Sequence, residues 1–188
     1  MTFGNQSVPR RVEITAGPRT ITIESTPLIM GVLNVTPDSF SDGGAYVTIE
    51  QAVNHAREMQ AQGADLIDIG AESSRPGAQP VGQSEELRRL IPVVEAVCEA
   101  ISLPISVDTT KAAVARAAIQ AGAVLVNDIS ALQADPSMAA LVAETGVAVV
   151  LMHMQGTPQT MQNAPQYRHV VEDVALFLQQ RAQDAIAR

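Results

Sequence analysis

The chain has 188 residues, 46% of them hydrophobic and 17% charged, which suits one domain with a real core and excludes a disordered or fibrous protein. Twelve basic residues against twenty acidic ones leave a net charge of −8. With no basic run and no Trp, the sequence excludes nucleic acid and an anionic membrane surface as main partners. The lone cysteine, Cys98, excludes an internal disulfide and a CxxC metal site, and reads as a small core residue in a helical pattern.

Met1 to Arg11 is polar and lacks the apolar centre of a signal peptide, and the longest apolar run, Val147–Met152, is too short for a bilayer. The expected location is therefore cytoplasmic, and the expected organisation is a single domain over 1–188. Residues 12–24 alternate apolar and polar around Ala16-Gly17-Pro18-Arg19, a hairpin signature. From 28 to 188, short apolar runs alternate with helical patterns. The predicted strands are Leu28–Asn34, Asp65–Gly70, Ile105–Asp108, Val124–Asp128 and Val147–His153, rich in Val, Ile and Leu as parallel strands are.

Between them, Thr48 and Gln51 resemble a capping box, with Gly63 as the stop. Ser84 is expected to open the second helix and Thr110 the third, which ends at Gly122. Asp135-Pro136 reads as a cap and first-turn proline, with Gly146 closing that helix. A last helical pattern runs from about Val170, using Val171, Val174, Phe177 and Leu178 as the apolar stripe.

Strict β/α alternation implies an α/β fold with parallel strands, either a doubly wound sheet or part of a (β/α)8 barrel. Asn34, Asp68, Asp108, Asn127 with Asp128, and His153 place polar groups at or near the C-terminal end of every strand. A barrel collects such residues on one face, so the TIM barrel family is favoured. Such a barrel has eight units in roughly 250 residues. The five units here predict an incomplete barrel, preceded by the N-terminal β-hairpin.

Two polar loops follow the first two strands. One runs from Asn34 to Gly44; the other, Glu72-Ser73-Ser74-Arg75-Pro76-Gly77-Ala78, carries hydroxyls and a guanidinium that suit a phosphate. Each alone also fits an ordinary surface connection. Asp108 and Asn127 in one mouth could read a flat heterocycle through complementary donors and acceptors, although a buried Asp equally caps helices or satisfies backbone donors. Met152 could flank a planar ring or serve as a core methionine.

Ile29 to Gly44, with Asn34-Val35-Thr36-Pro37-Asp38-Ser39-Phe40-Ser41-Asp42-Gly43-Gly44 at its heart, and Ser73-Ser74-Arg75-Pro76-Gly77-Ala78 resemble the two signature loops of dihydropteroate synthases. Ser106-Val107-Asp108-Thr109-Thr110-Lys111, Val126-Asn127-Asp128-Ile129 and Leu151-Met152-His153-Met154-Gln155-Gly156 are similar to that family in the same order. The resemblance implies a transferase of folate biosynthesis, a sulfonamide target. It joins (7,8-dihydropterin-6-yl)methyl diphosphate to 4-aminobenzoate and releases diphosphate with Mg²⁺ assistance. By motif, Asn34 would contact Mg²⁺ and Ser74 the diphosphate. Asp108 and Asn127 would hold the pterin, with Ile129 and Met152 lining its pocket. Arg75, Thr36, Pro37 and Phe40 would belong to loops over the diphosphate and the aminobenzoate. Small-molecule substrates are the implied partners, and a homodimer the assembly at full length.

Ala71 and Ser74 depart mildly from the family's usual Gly and Thr. The family's sixth to eighth strands, which supply a further pterin-binding Asp, a Lys, and an Arg and His for the anion, have no counterpart here, so the 188-residue chain is expected to lack appreciable synthase activity. Lys111, the only lysine, and His169 match no motif position and are not assigned roles. The alternatives are the pterin-binding barrel of a methyltetrahydrofolate methyltransferase and a non-catalytic, truncated pterin-binding relative.

Overall fold

The computed structural model describes residues 11–35, 44–73 and 80–187. An antiparallel hairpin, β1 (Val12–Ala16) and β2 (Arg19–Ile23), precedes β3 (Met30–Asn34), α1 (Gly44–Ala61), β4 (Leu66–Gly70), α2 (Gln83–Ala100) and β5 (Ile105–Asp108). Then come α3 (Ala112–Gln120), β6 (Leu125–Asp128), α4 (Met138–Thr145), β7 (Ala148–Leu151) and α5 (Val170–Ile186). The five strands β3 to β7 are parallel and lie in sequence order. Each crossover thus moves one place in the same direction. A doubly wound sheet would reverse at a switch point, whereas a β/α barrel advances in this way. Among the described residues β3 and β7 are edges, and Val32 and Val150 on them are exposed.

The period of two in each strand divides the sheet. One row, Leu33, Ile69, Val107, Val126 and Val149, runs across all five strands and packs into the main core with α1 to α4. The opposite face carries the row Asn34, Gly70, Asp108, Asn127 and Val150 at its C-terminal end. Below it lies Val32, Asp68, Ser106, Leu125 and Ala148. The hairpin seals the far end of this face. Ala16 and Ile21 bury themselves with Leu66, Val124 and Leu125, while the Gly17 N–H donates to the Gly146 carbonyl at 2.8 Å. The floor is thus closed at the end opposite the polar row.

Several predicted element ends move for physical reasons. Helix α1 starts at Gly44, which places Thr48 inside it rather than at a cap. Strand β3 begins at Met30, because Leu28 packs on the hairpin cluster and the Ile29 N–H is taken by the Asp65 carboxylate at 2.7 Å. Gly82, not Ser84, is the N-cap of α2. Thr110 does not open α3; the Ala112 N–H is capped from a distance by Asp135 Oδ2 at 2.8 Å. The other Asp135 oxygen accepts from the Ser137 N–H at 2.9 Å, and α4 starts only at Met138. Gly146 does close α4, with a left-handed φ of 66°. Helix α5 rests on β7 by a narrow side, so Val174, Phe177 and Leu178 are half-buried while Val171 stands 64% exposed, outside the stripe.

Asp135 therefore serves two helices, and its backbone hydrogen bonds from Ser137 and Ala112 hold its carboxyl below the ordinary range. That contribution is present above the unfolded-state pKa and disappears as pH falls through the lower folded value. Replacing Asp135 with Ala is expected to cost about 0.5–2 kcal/mol by urea unfolding at neutral pH, and less in acid. An unchanged midpoint at pH 7 would contradict the double cap.

Candidate functional site

Asn34, Gly70, Asp108 and Asn127 stand side by side because four consecutive parallel strands pair in that register. A cavity of about 470 Å³ opens beside Asp108, lined by Asp108, Ile129 and Met152 together with Glu72, Thr109 and Phe177. Of the sequence-predicted residues, Asp108, Ile129 and Met152 are thus brought to one space. Asn34 is exposed at the end of β3, in the same row but outside the lining. Asn127 also lies outside the lining, where its Nδ2 donates to Asp68 Oδ2 at 3.0 Å. Thr36, Pro37, Phe40, Ser74 and Arg75 lie outside the described residues.

Asp108 is pushed up to about 7, first by burial and then by the charges of Asp68, Glu86, Asp128 and Glu72. Near neutral pH it divides between carboxylate and acid, so it can accept from a ring N–H or donate to a ring nitrogen. Gly70 makes room for it: a Cβ there would lie 3.2 Å from Asp108 Cβ.

The neighbouring Asp128 does different work. Fully buried, it accepts from the Ser130 N–H at 2.7 Å, the Ser130 hydroxyl at 2.6 Å and the Leu132 N–H at 3.0 Å. These bonds hold Ala131 and Leu132 at φ of 52° and 64°, a region that costs side-chain-bearing residues about 1–3 kcal/mol each. The turn is thereby fixed where Ile129 and Ser130 reach the cavity. His153, the polar residue expected beyond the last strand, packs edge-on against Phe177 at 4.9 Å and near Tyr167 at 5.8 Å, securing the β7–α5 connection.

Lys111, given no role by motif, is the main residue that sequence reasoning missed. Its ammonium bonds Glu86 Oε2 at 2.5 Å and also the cavity-lining Glu72. Glu86 is wholly buried in α2 and takes a second bond from the Thr109 hydroxyl at 2.6 Å. Although burial opposes the charge on Lys111, hydrogen bonds to Glu72 and Glu86 raise its pKa overall. Glu86, an acidic residue on the first turn of α2, gave one sequence signal, but an acidic first turn normally serves the helix dipole in solvent. Among the described residues, no group of three or more His, Cys, Asp and Glu is arranged to hold a metal.

Five parallel β/α units in sequence order, with a polar row at their C-terminal end over a sealed floor and beside a cavity, form an open sheet of the (β/α)8 barrel class. The family described as pterin binding enzymes matches residues 30–187, and the chain belongs to that family. It is 51% identical over 159 residues to the dihydropteroate synthase of Escherichia coli, covering 84% of this chain and 56% of that protein. Among solved structures, the Xanthomonas albilineans dihydropteroate synthase with 4-aminobenzoic acid superposes with a TM-score of 0.84 at 47% identity, covering 93% of this chain and 61% of the other. The Burkholderia cenocepacia dihydropteroate synthase complexed with 7,8-dihydropteroate gives 0.80 at 44% identity, covering 94% and 59%. The chain spans somewhat over half the length of these relatives.

Removing Lys111 would strand Glu86 as a buried, uncompensated charge. Lys111→Met is expected to destabilise the fold by about 3–5 kcal/mol in urea, and Lys111→Met with Glu86→Gln to recover most of that loss. A single-variant cost below about 1 kcal/mol, the scale of a surface pair, would contradict the buried bridge.

Proposed function

We propose that this chain is the pterin-holding part of a dihydropteroate synthase, which joins (7,8-dihydropterin-6-yl)methyl diphosphate to 4-aminobenzoate. The observation that carries the reading is the row of Asn34, Gly70, Asp108 and Asn127, in which Asp108 shares a cavity with Ile129 and Met152. The relative and the two neighbours described above are synthases, which favours diphosphate displacement over methyl transfer.

In this reading Asp108 hydrogen-bonds a pterin ring nitrogen and Asn127 offers both a donor and an acceptor to the ring. Ile129 and Met152 cover the ring faces, which excludes water and strengthens those bonds. Asn34 carries a hard carboxamide oxygen of the kind Mg²⁺ accepts beside phosphate oxygens, and its exposure at the strand end leaves room for such a ligand set. When bound, Mg²⁺ would neutralise charge on the leaving diphosphate. Ser74 and Arg75 are assigned to the diphosphate, and Thr36, Pro37 and Phe40 to the aminobenzoate side. The amine lone pair of 4-aminobenzoate attacks the methylene carbon and the C–N bond forms. The C–O bond breaks, diphosphate departs with the electron pair, and the amine proton passes to water.

The whole chain is read as one such domain, acting on small molecules in the cytoplasm, with a second copy as its partner in the full-length enzyme. No helix among the described residues is long and apolar enough to cross a membrane. Calorimetry of 7,8-dihydropterin with this chain at pH 8 tests the reading. Asp108→Ala should weaken binding by about 1.5–3 kcal/mol, the value of a hydrogen bond to a charged group. Equal affinities for the two proteins would sink it.

A further inference from the structure

Asp68 lies in the middle of β4, in the row beneath Asp108, and is only 4% exposed. Its Oδ2 accepts from Asn127 Nδ2 at 3.0 Å. Strand β5 lies between β4 and β6, so this bond crosses over it, as expected where barrel layers draw side chains from alternate strands. The other oxygen, Oδ1, is buried without a hydrogen-bond partner, as is the hydroxyl of Ser106 beside it on β5. An unpartnered buried carboxylate oxygen is a cost that packing does not repay.

The two ends of a carboxamide are nearly equal in size and differ in what they donate and accept. A carboxylate only accepts, so it selects the nitrogen end of Asn127 and turns the carbonyl oxygen away from itself. We propose that Asp68 is a positioning residue of the pterin site, fixing the orientation of the Asn127 carboxamide so that Asn127, and not Asp68, meets the ligand. The inference rests on the pterin reading of the site. It explains why a carboxylate is kept at a depth where it forms a single bond.

Asp68 also faces Asp108, as do Glu86 from α2, Asp128 from β6 and Glu72 beyond β4, with Lys111 tied to both glutamates. Taking away the Asp68 charge relieves Asp108, so the pH midpoint of ligand binding moves down. That shift reports the Asp68 charge, whereas the Asn127 amide reports the orientation.

The test is a double-mutant cycle of Asp68→Asn and Asn127→Ala, titrated with 7,8-dihydropterin by calorimetry between pH 5.5 and 8.5. The side-chain amide resonances of Asn127 are followed in the ligand-free protein. Asp68→Asn is expected to weaken binding roughly tenfold, to lower the pH midpoint, and to release the amide from its single hydrogen-bonded environment. In the Asn127→Ala background, at pH 8.5 where Asp108 is largely ionised with or without the Asp68 charge, it should change affinity by less than about twofold. Additive losses in the cycle would overturn the inference by making Asp68 a direct contact, and an unmoved Asn127 amide would overturn it outright. Asp68→Ser repeats the cycle should the Asn variant not fold. If the wild-type chain does not bind dihydropterin, the pterin reading fails, and the ligand-free amide spectra alone decide whether Asp68 orients Asn127.

Discussion

At the C-terminal end of the sheet, the carboxylates of Asp68, Glu72, Glu86 and Asp128 all act on Asp108, and the only lysine in the chain, Lys111, lies among them. Charge crowded in a partly buried space must be paired, hydrogen-bonded or neutralised. Each group takes a different course. Glu72 and Glu86 share the Lys111 ammonium, Asp128 takes three hydrogen bonds from its own turn, and Asp68 holds the Asn127 amide. Asp108 is left without such a settlement, so its proton affinity rises. Crowding thus sets both the local framework and the chemistry of Asp108, which lines the cavity with no partner of its own among the described residues, unlike the Lys111-bound Glu72.

The rest of the fold makes that crowding bearable. The outward row of Leu33, Ile69, Val107, Val126 and Val149 binds the sheet to its helices. Each buried methylene there contributes on the order of 0.8 kcal/mol against the electrostatic cost on the other face. The hairpin closes the floor with apolar side chains, at the end of the sheet opposite the polar row. Gly70 adds a small but necessary allowance, since a methyl group there would press on Asp108.

The parallel strands, their order and the inward direction of Asn34, Asp108 and Asn127 were legible in the sequence, because a period of two and apolar strand cores are local signals. Helix ends were less legible. Asp135 caps α3 from beyond β6, and no local pattern announces a cap supplied from 23 residues away. Polar strand ends were also overread: Asp128 and His153 carry the right chemistry, yet one builds a turn and the other an aromatic contact. The Lys111 bridge stayed hidden for the same reason as the remote cap. It joins the end of β4, the first turn of α2 and the β5–α3 junction, and only the fold brings those three together.

Asp108 is the most direct gauge of this electrostatic account. A raised carboxyl pKa means that the folded state holds a proton the unfolded chain releases, so its stabilising effect is full below the unfolded value and lost as pH rises through the folded one. The decisive measurement is the carbon-13 chemical shift of the Asp108 side-chain carboxyl, followed by NMR in the ligand-free protein from pH 3 to pH 9. The account predicts a midpoint of about 7. A midpoint in the ordinary carboxylate range, near about 4, would show that the neighbouring charges and burial do not govern the site.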